Sequence, residues 1–451
     1  MVPVHCFRFY AVWPVSEAAA RWSMCLLAVW VVWSSLPAPA DAQDVRVRIL
    51  DAEAVASVTL TVSERTPVHT DPEGSPLFHI RPNTSVTLAP HEGGDVRIEH
   101  ENDRLAASTL YLQVPQGATT TVQSGSRRQS YPGTFAIRAD DRRSDRLEVV
   151  NRVPLEQYVA SVVASEYGLD DTEGAKAMAV VARTYALRGS DRFGDTFDHV
   201  DHTLSQVYRG LSDINDASRA AAQATQGEVL TYEDHLVEAV YFSSSGGHTA
   251  NNEDVWDASE DLPYLRGRDD PYDSVSPHHT WSSTANRLQV LRGLEQAFGG
   301  TVRGFFLGDK TDDGRLLTMD LLRPGGERES VQANAFRLAV NRAVGQEVLR
   351  STWFDARRNG SEYAFEGRGY GHGVGMSQWG AHGMAKRGHT YRDILGFYYQ
   401  GASIASIGDV DQTPTRLALD EPDRNEPLPV DTSPSEDPDD PSPSTRRRIG
   451  W

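Results

Sequence analysis

Between Val45 and about Val150, apolar and polar residues alternate in short runs: Val45-Arg-Val-Arg-Ile49, Val58-Thr-Leu-Thr-Val62 and Leu110-Tyr-Leu-Gln-Val114. Successive side chains of a strand point to opposite faces, so a period of two predicts antiparallel strands with one face buried. Tyr131-Pro132-Gly133 marks a turn, with strands expected beyond it at Thr134 to Ile137 and Leu147 to Val150. No repeat of solenoid period is present.

The period changes at Pro154. Leu155, Tyr158, Val159, Val162 and Val163 stand at helical spacing and define one apolar stripe, with Pro154 in the first turn where a missing N–H is harmless. A second helix is expected from a Thr172 cap, with Ala175, Met178, Ala179, Ala182 and Ala186 as its apolar face and Gly189 as its stop. A third, rich in Ala, lies between Asp213 and Gly227. Strands return after Val229, followed by a helix at Arg287 to Phe298. Thr390-Tyr-Arg-Asp393 resembles a capping box opening a last helix that Gly401 ends, and the folded part should stop near Gly408. The fold class expected is α+β, strand-rich with a helical segment.

Composition narrows the options. The chain has 451 residues, 63 Asp+Glu against 44 Lys+Arg, a net charge of −19, and 2 Cys. That length allows one large domain or a few ordinary ones. The acidic balance is wrong for gripping a phosphate backbone, so no nucleic acid partner is expected. Cys6 and Cys25 cannot form a disulfide framework or a four-thiolate zinc site. Both fall in residues 1–42, where Arg21, an apolar run from Met24 to Trp33 and the small residues of Ala40-Asp-Ala42 have the layout of a signal peptide cut before Gln43. The run is short against the roughly 20 residues that span a bilayer, although a retained anchor is the alternative. The true start could lie as late as Met24. An exported protein of the periplasm or cell envelope follows. From Asp409 to Ser444 the chain is rich in Pro, Asp, Glu and Ser, a composition that cannot offset ordering entropy, so 409–451 is expected to be a disordered acidic tail. The expected divisions are thus a leader at 1–42, a β-rich part at 43–150, a core at 151–408 and the tail.

Several residues could carry chemistry. One step further along the first helical stripe lies Glu166, a carboxyl on an apolar face near a helix C-terminus. Desolvation and the helix dipole both raise its pKa, which suits a general acid. A frayed helix end with Glu166 in water is the alternative. Gly367, Gly369, Gly371, Gly373 and Gly375 alternate around Tyr370 and His372, clearing one side of the chain either for a ligand or for another backbone. No G-x-G-x-x-G pattern is present, so a dinucleotide cofactor is not expected. Tyr241-Phe-Ser-Ser-Ser245-Gly-Gly-His248 has hydroxyls beside glycines but lacks the first Gly of a nucleophile elbow. Asp198-His199-Val-Asp201-His202 offers metal-type donors without an identifiable complete set.

Taken in order, Asn151 to Glu166, Ala175 to Tyr185, Ser205 to Gly210, Ser243 to His248, Glu253 to Trp256 and Gly369 to Ala381 resemble the SpoIID/LytB family. The resemblance covers most of 45–408 and implies a peptidoglycan lytic transglycosylase of SpoIID-like fold acting on glycan strands stripped of their stem peptides. Glu166 matches the family's catalytic acid. If the sugar's own 6-hydroxyl attacks C1, one carboxyl can protonate the leaving oxygen and then take the hydroxyl proton, giving a 1,6-anhydro product without the second carboxylate that glycoside hydrolysis usually needs. Arg183, Tyr185, Gln206, Tyr208, Ser245, His248, Trp256, His372 and Gln378 are the candidates for lining the glycan groove, since polar groups beside aromatic faces suit a sugar chain. The alternative within the family is an amidase enhancer that binds wall glycan and activates a partner amidase without chemistry of its own. Some members hold zinc just before the Gln206 block, but this chain has Val200, Leu204 and Ser205 there, so no metal is expected.

Overall fold

Val45, Val47 and Ile49 turn inward from the first strand while their polar neighbours stay partly covered, as the alternation requires. The structure is a computed structural model that describes residues 43–100, 103–189, 192–256, 261–345 and 347–410. The expected leader and the tail from 411 onward lie outside the described residues.

Asp44–Ile49 pairs antiparallel with Leu147–Pro154, with Val47 opposite Asn151, and takes His199–Val200 in parallel on its other edge. Thr134–Ala139, Thr109–Leu112, Thr66–His69 and Phe78–Ile80 extend this into a seven-stranded sheet. A second sheet of six strands carries Val58–Val62 at its centre. Leu147–Pro154 runs straight through the point where the sequence pattern changes and delivers the chain to the first helix. One apolar core therefore extends from Val45 to Tyr399.

Helix α1, Leu155–Glu166, buries the stripe read from the sequence, and Pro154 takes its N-cap place instead of the first turn. Helix α2, Thr172–Arg188, is buried on nearly every side, because its alanines let neighbours approach closely. Its cap is Asp171, one residue earlier than expected. That carboxylate accepts from Gly174 N at 2.6 Å and from the Tyr167 hydroxyl at 2.8 Å, a double role that Thr172 could not fill. Helix α3, Asp216–Ala224, opens on a capping box of Asn215 and Ser218.

Helix α4 spans Arg287–Phe298, as its periodicity predicts, and α5, Ala333–Val344, was not anticipated. With Thr280–Asn286, Glu362–Arg368, Phe354–Asn359 and a second three-stranded sheet, they form an inserted unit around a separate core that includes Trp281, Leu294, Phe336 and Phe365. Helix α6, Gln378–Lys386, begins inside the glycine-rich block, capped by Ser377. Helix α7, Tyr391–Tyr398, has the expected Thr390–Asp393 capping box and ends before Gly401. The fold is α+β and strand-rich. Among the described residues, no helix is long and apolar enough to cross a membrane.

Candidate active site

Helix α1 ends with its last carboxyl inside the protein. Glu166 is 1% exposed; Oε1 accepts from the Val207 N–H at 2.8 Å and Oε2 has no hydrogen-bond partner. Burial pushes its pKa up to about 7, against the opposing pulls of the Val207 N–H, the Tyr241 hydroxyl and the Arg209 charge. The Tyr241 hydroxyl is near enough to favour the ionised form while falling outside hydrogen-bond geometry with Oε2. The backbone carbonyl of Glu166, left open at the helix end, accepts from Gln378 Nε2 at 2.9 Å.

Tyr241 links several of the predicted residues. Gln206 accepts from the Tyr158 hydroxyl at 3.1 Å and donates to the Tyr241 hydroxyl at 3.4 Å. His372 Nδ1 accepts from the Val374 N–H at 3.2 Å, which leaves the proton on Nε2 to meet the Tyr241 carbonyl at 2.8 Å. Burial lowers the His372 pKa to about 3, so the ring is neutral near physiological pH and orients its neighbours instead of carrying charge. Trp256 packs on that ring with centroids 5.1 Å apart. Glu166, Gln206, His372, Trp256 and Gln378 are therefore brought together, through a tyrosine that the quoted segments contain but that their chemistry did not single out.

The remaining candidates make their hydrogen bonds to other partners, Tyr185 while standing near enough to Glu166 and Tyr241 to interact with both. Arg183, 0% exposed, forks onto Glu156 at 2.9 and 2.6 Å and donates to the carbonyls of Ala222 and Glu228, tying α1, α2 and α3 together. The Tyr208 hydroxyl donates to Asn151 at 2.7 Å within the core, and the Tyr185 hydroxyl accepts from Arg192 at 2.7 Å. His248 Nδ1 stands 3.7 Å from Asp313 of the inserted unit. Ser245 is fully buried and donates to Asp270 at 2.9 Å.

Asp270 leads to a carboxylate that no motif in the chain singles out. Asp273, with no exposure, accepts from Ser244 Oγ at 2.8 Å, Ser245 N at 2.8 Å, Gly246 N at 3.0 Å and Ser377 Oγ at 2.9 Å, with His279 Nδ1 at 3.1 Å. It thus joins the serine-glycine loop to the cap of α6, and hence to Gln378. Burial, then the like charge of Asp273, raises the pKa of Asp270 to about 6. The alternate glycines serve the close approach of this loop. Ser244 and Tyr370 exchange hydrogen bonds of 3.0 and 2.7 Å, and a Cβ on Gly246 would lie 2.5 Å from Gly369 N.

The metal-type donors at 198–202 are engaged separately. Asp198 accepts from Arg46, and Asp201 accepts from Leu50 N and Arg127. His199 Nε2 meets the Ala186 carbonyl at 2.9 Å, while His202 meets Asp51 at 3.0 Å. Val200 is buried hydrocarbon, and the Ser205 hydroxyl accepts from Val200 N, so both side chains are engaged in packing and backbone contacts. Among the described residues, no group of three or more metal-type side chains converges.

The comparisons place this buried carboxyl, the Gln-Val-Tyr segment and the glycine-rich block in a chain that belongs to the SpoIID/LytB family. The family model described as stage II sporulation protein matches residues 143–232, which contain Glu166, Arg183 and Gln206. Stage II sporulation protein D of Bacillus amyloliquefaciens is 34% identical over 277 residues, covering 57% of this chain and 75% of that protein. The protein of the same name in Bacillus subtilis (strain 168) is 34% identical over 275 residues, covering 57% and 76%. The amidase enhancer of Bacillus subtilis (strain 168) is 29% identical over 279 residues, covering 52% of this chain and 38% of that protein.

Proposed function

We propose that the chain is an exported lytic transglycosylase that cleaves peptide-stripped peptidoglycan strands to 1,6-anhydromuramoyl ends, with Glu166 as general acid and then base. The observation that carries this reading is the Glu166 carboxyl itself, whose Oε2 is without a partner and whose pKa is pushed up to about 7 by burial. A group that titrates near neutrality is populated in both the forms that such a reaction uses in turn. Gln378 and Val207 hold the residue from either end, so the free oxygen keeps a fixed place. No added cofactor or metal is needed for this chemistry.

A second reading has its own support. At 1% exposure Glu166 is sealed from solvent, so a glycan reaches it only if part of its surroundings gives way. A chain that grips wall glycan and activates a partner amidase needs no such opening, and one relative bears the name amidase enhancer. Purified protein incubated with peptide-free glycan strands and analysed by mass spectrometry separates the two. A 1,6-anhydro product from the wild type that disappears in Glu166→Gln supports the enzyme. Absence of product from both, with glycan binding retained, overturns it in favour of the enhancer.

A further inference from the structure

Two groups reach Glu166 from far along the chain: the Tyr241 hydroxyl stands beside its carboxyl, and the Gln378 amide holds its backbone carbonyl. Both issue from one short ladder. Tyr241–Phe242 and Met376–Ser377 pair in parallel, with Tyr241 opposite Met376 and Phe242 opposite Ser377, and Gln378 follows directly. Two residues a side supply few backbone bonds, chiefly Met376 N to the Val240 carbonyl at 3.2 Å and Trp379 N to the Ser243 carbonyl at 3.0 Å. A slip of one residue would turn every side chain to the other face, so a ladder this short needs a further device to keep Tyr241 and Gln378 in step.

Asp273 stands where the ladder ends. Its Oδ1 accepts from Ser245 N at 2.8 Å and from Ser377 Oγ at 2.9 Å, so one oxygen bridges the loop that continues the first strand and the last residue of the second. Oδ2 accepts from Ser244 Oγ at 2.8 Å and Gly246 N at 3.0 Å, with His279 Nδ1 at 3.1 Å. Ser377 in turn accepts from Gly380 N at 3.0 Å as the cap of α6, so its bond to Asp273 also aligns the helix that begins at Gln378. Each carboxylate oxygen faces a backbone N–H, which cannot turn round as a hydroxyl can. An amide of the same shape would set its own N–H against one of them, so the site calls for a carboxylate. An apolar clamp would hold the loop at less cost, since burying a carboxylate is expensive even when it is paired. What the carboxylate adds is register, because it takes donors from both strands at once.

We propose that Asp273 is a positioning residue for Glu166: through Ser244 and Ser377 it fixes the pairing of Tyr241 with Met376, and with it the places of the Tyr241 hydroxyl and the Gln378 amide. The proposal rests on the reading of Glu166 as general acid and base. Asp273 makes no contact with substrate in this scheme and acts only through the ladder. A carboxyl that gives and then takes a proton works only while its neighbours keep one arrangement, to within about half an ångström.

The test follows the Glu166 side-chain carboxyl by NMR through a pH titration of the full chain, alongside cleavage of peptide-free glycan strands. In Asp273→Asn the ladder loosens and water reaches the buried carboxyl. Its midpoint should then fall from about 7 by roughly half a pH unit or more, because burial is the main cause of its elevation. The kcat should fall about tenfold or more with KM within about twofold, the mark of a group that acts on the reacting carboxyl and not on glycan binding. If that variant does not fold, Ser244→Ala and Ser377→Ala each remove one bond of the clamp and should move the midpoint the same way; an unmoved midpoint in both overturns the proposal. Val340→Ala cuts into the separate core of the inserted unit, lowers stability and leaves the ladder alone, so it should move neither readout. The proposal is also overturned if Glu166 titrates unchanged or kcat holds in folded Asp273→Asn, or if Val340→Ala shifts the midpoint as far. A wild type that cleaves no glycan overturns the enzyme reading instead, and the titration still decides whether Asp273 places the carboxyl.

Discussion

The side-chain amide of Gln378 donates to the backbone carbonyl of Glu166 at 2.9 Å, across 212 residues of chain. The contact satisfies a carbonyl at the end of α1 and fixes the helix end to the first residue of α6, so the position of the carboxyl depends on a distant part of the sequence. Gln378→Met keeps the approximate volume and removes the donor. Leaving that carbonyl buried and unpaired should cost about 1 to 3 kcal/mol, read as a lower urea midpoint at unchanged slope. Cleavage should fall with it.

The raised pKa of Glu166 makes stability depend on pH in a direction opposite to that of an ordinary paired carboxylate. The folded state holds its proton up to about 7, whereas the unfolded chain releases it near the ordinary glutamate value of 4.5. Between those values the folded state binds more protons, so stability falls as pH rises through the window and levels off above it. A shift of that size corresponds to on the order of 3 kcal/mol. Thermal melts of wild type and Glu166→Gln from pH 4 to 8 should show the wild type losing ground to the variant; parallel curves would refute the buried, protonatable carboxyl.

Asp273→Asn removes a charge on which five donors converge. Hydrogen bonds to charged groups contribute about 1.5 to 3 kcal/mol each, so a loss of at least that order in unfolding free energy is expected. The same change withdraws the like charge beside Asp270, whose pKa should drop from about 6 toward the ordinary carboxylate range. Carboxyl chemical shifts followed by NMR through a pH titration would report it, and an unmoved Asp270 would show that burial alone sets its value.

Gly369→Ala tests the seam. Its φ of 72° lies in the left-handed region, and an added Cβ would stand 2.7 Å from the Ser244 carbonyl. Overpacking of this kind costs about 1 to 3 kcal/mol, and it should open the paired bonds of Ser244 and Tyr370, seen as faster amide exchange at both residues.

Local signals in the sequence located what local physics determines. The stripe from Leu155 to Glu166, the helix at Arg287 to Phe298 and the Thr390–Asp393 cap each follow from spacing or from neighbours three residues away. Helix α6 was hidden because glycine is a poor helix former, and its two glycines are there for packing. A Cβ on Gly380 would meet the Tyr398 hydroxyl at 1.8 Å, and one on Gly383 would meet the Tyr272 carbonyl at 2.1 Å. Arg183 resembles a groove residue on paper, yet its partners Glu156 and Glu228 come from elements that only the tertiary fold brings to it. Asp273 has no motif around it, and five groups converge there because a loop, a helix cap and a histidine meet in space. Tyr241 heads a segment noted for its serines, and its role emerges only when α1 lies beside it.

Thr280 and Arg368, the residues through which the chain leaves and re-enters the main body, are paired neighbours on adjacent strands. An insertion whose two ends meet in this way adds no span to the host and asks only a short junction of it, the circumstance in which domains are most readily gained or exchanged. The inserted unit, with its own core, therefore hangs from a single strand pair, and the helices that hold Glu166 do not depend on its span.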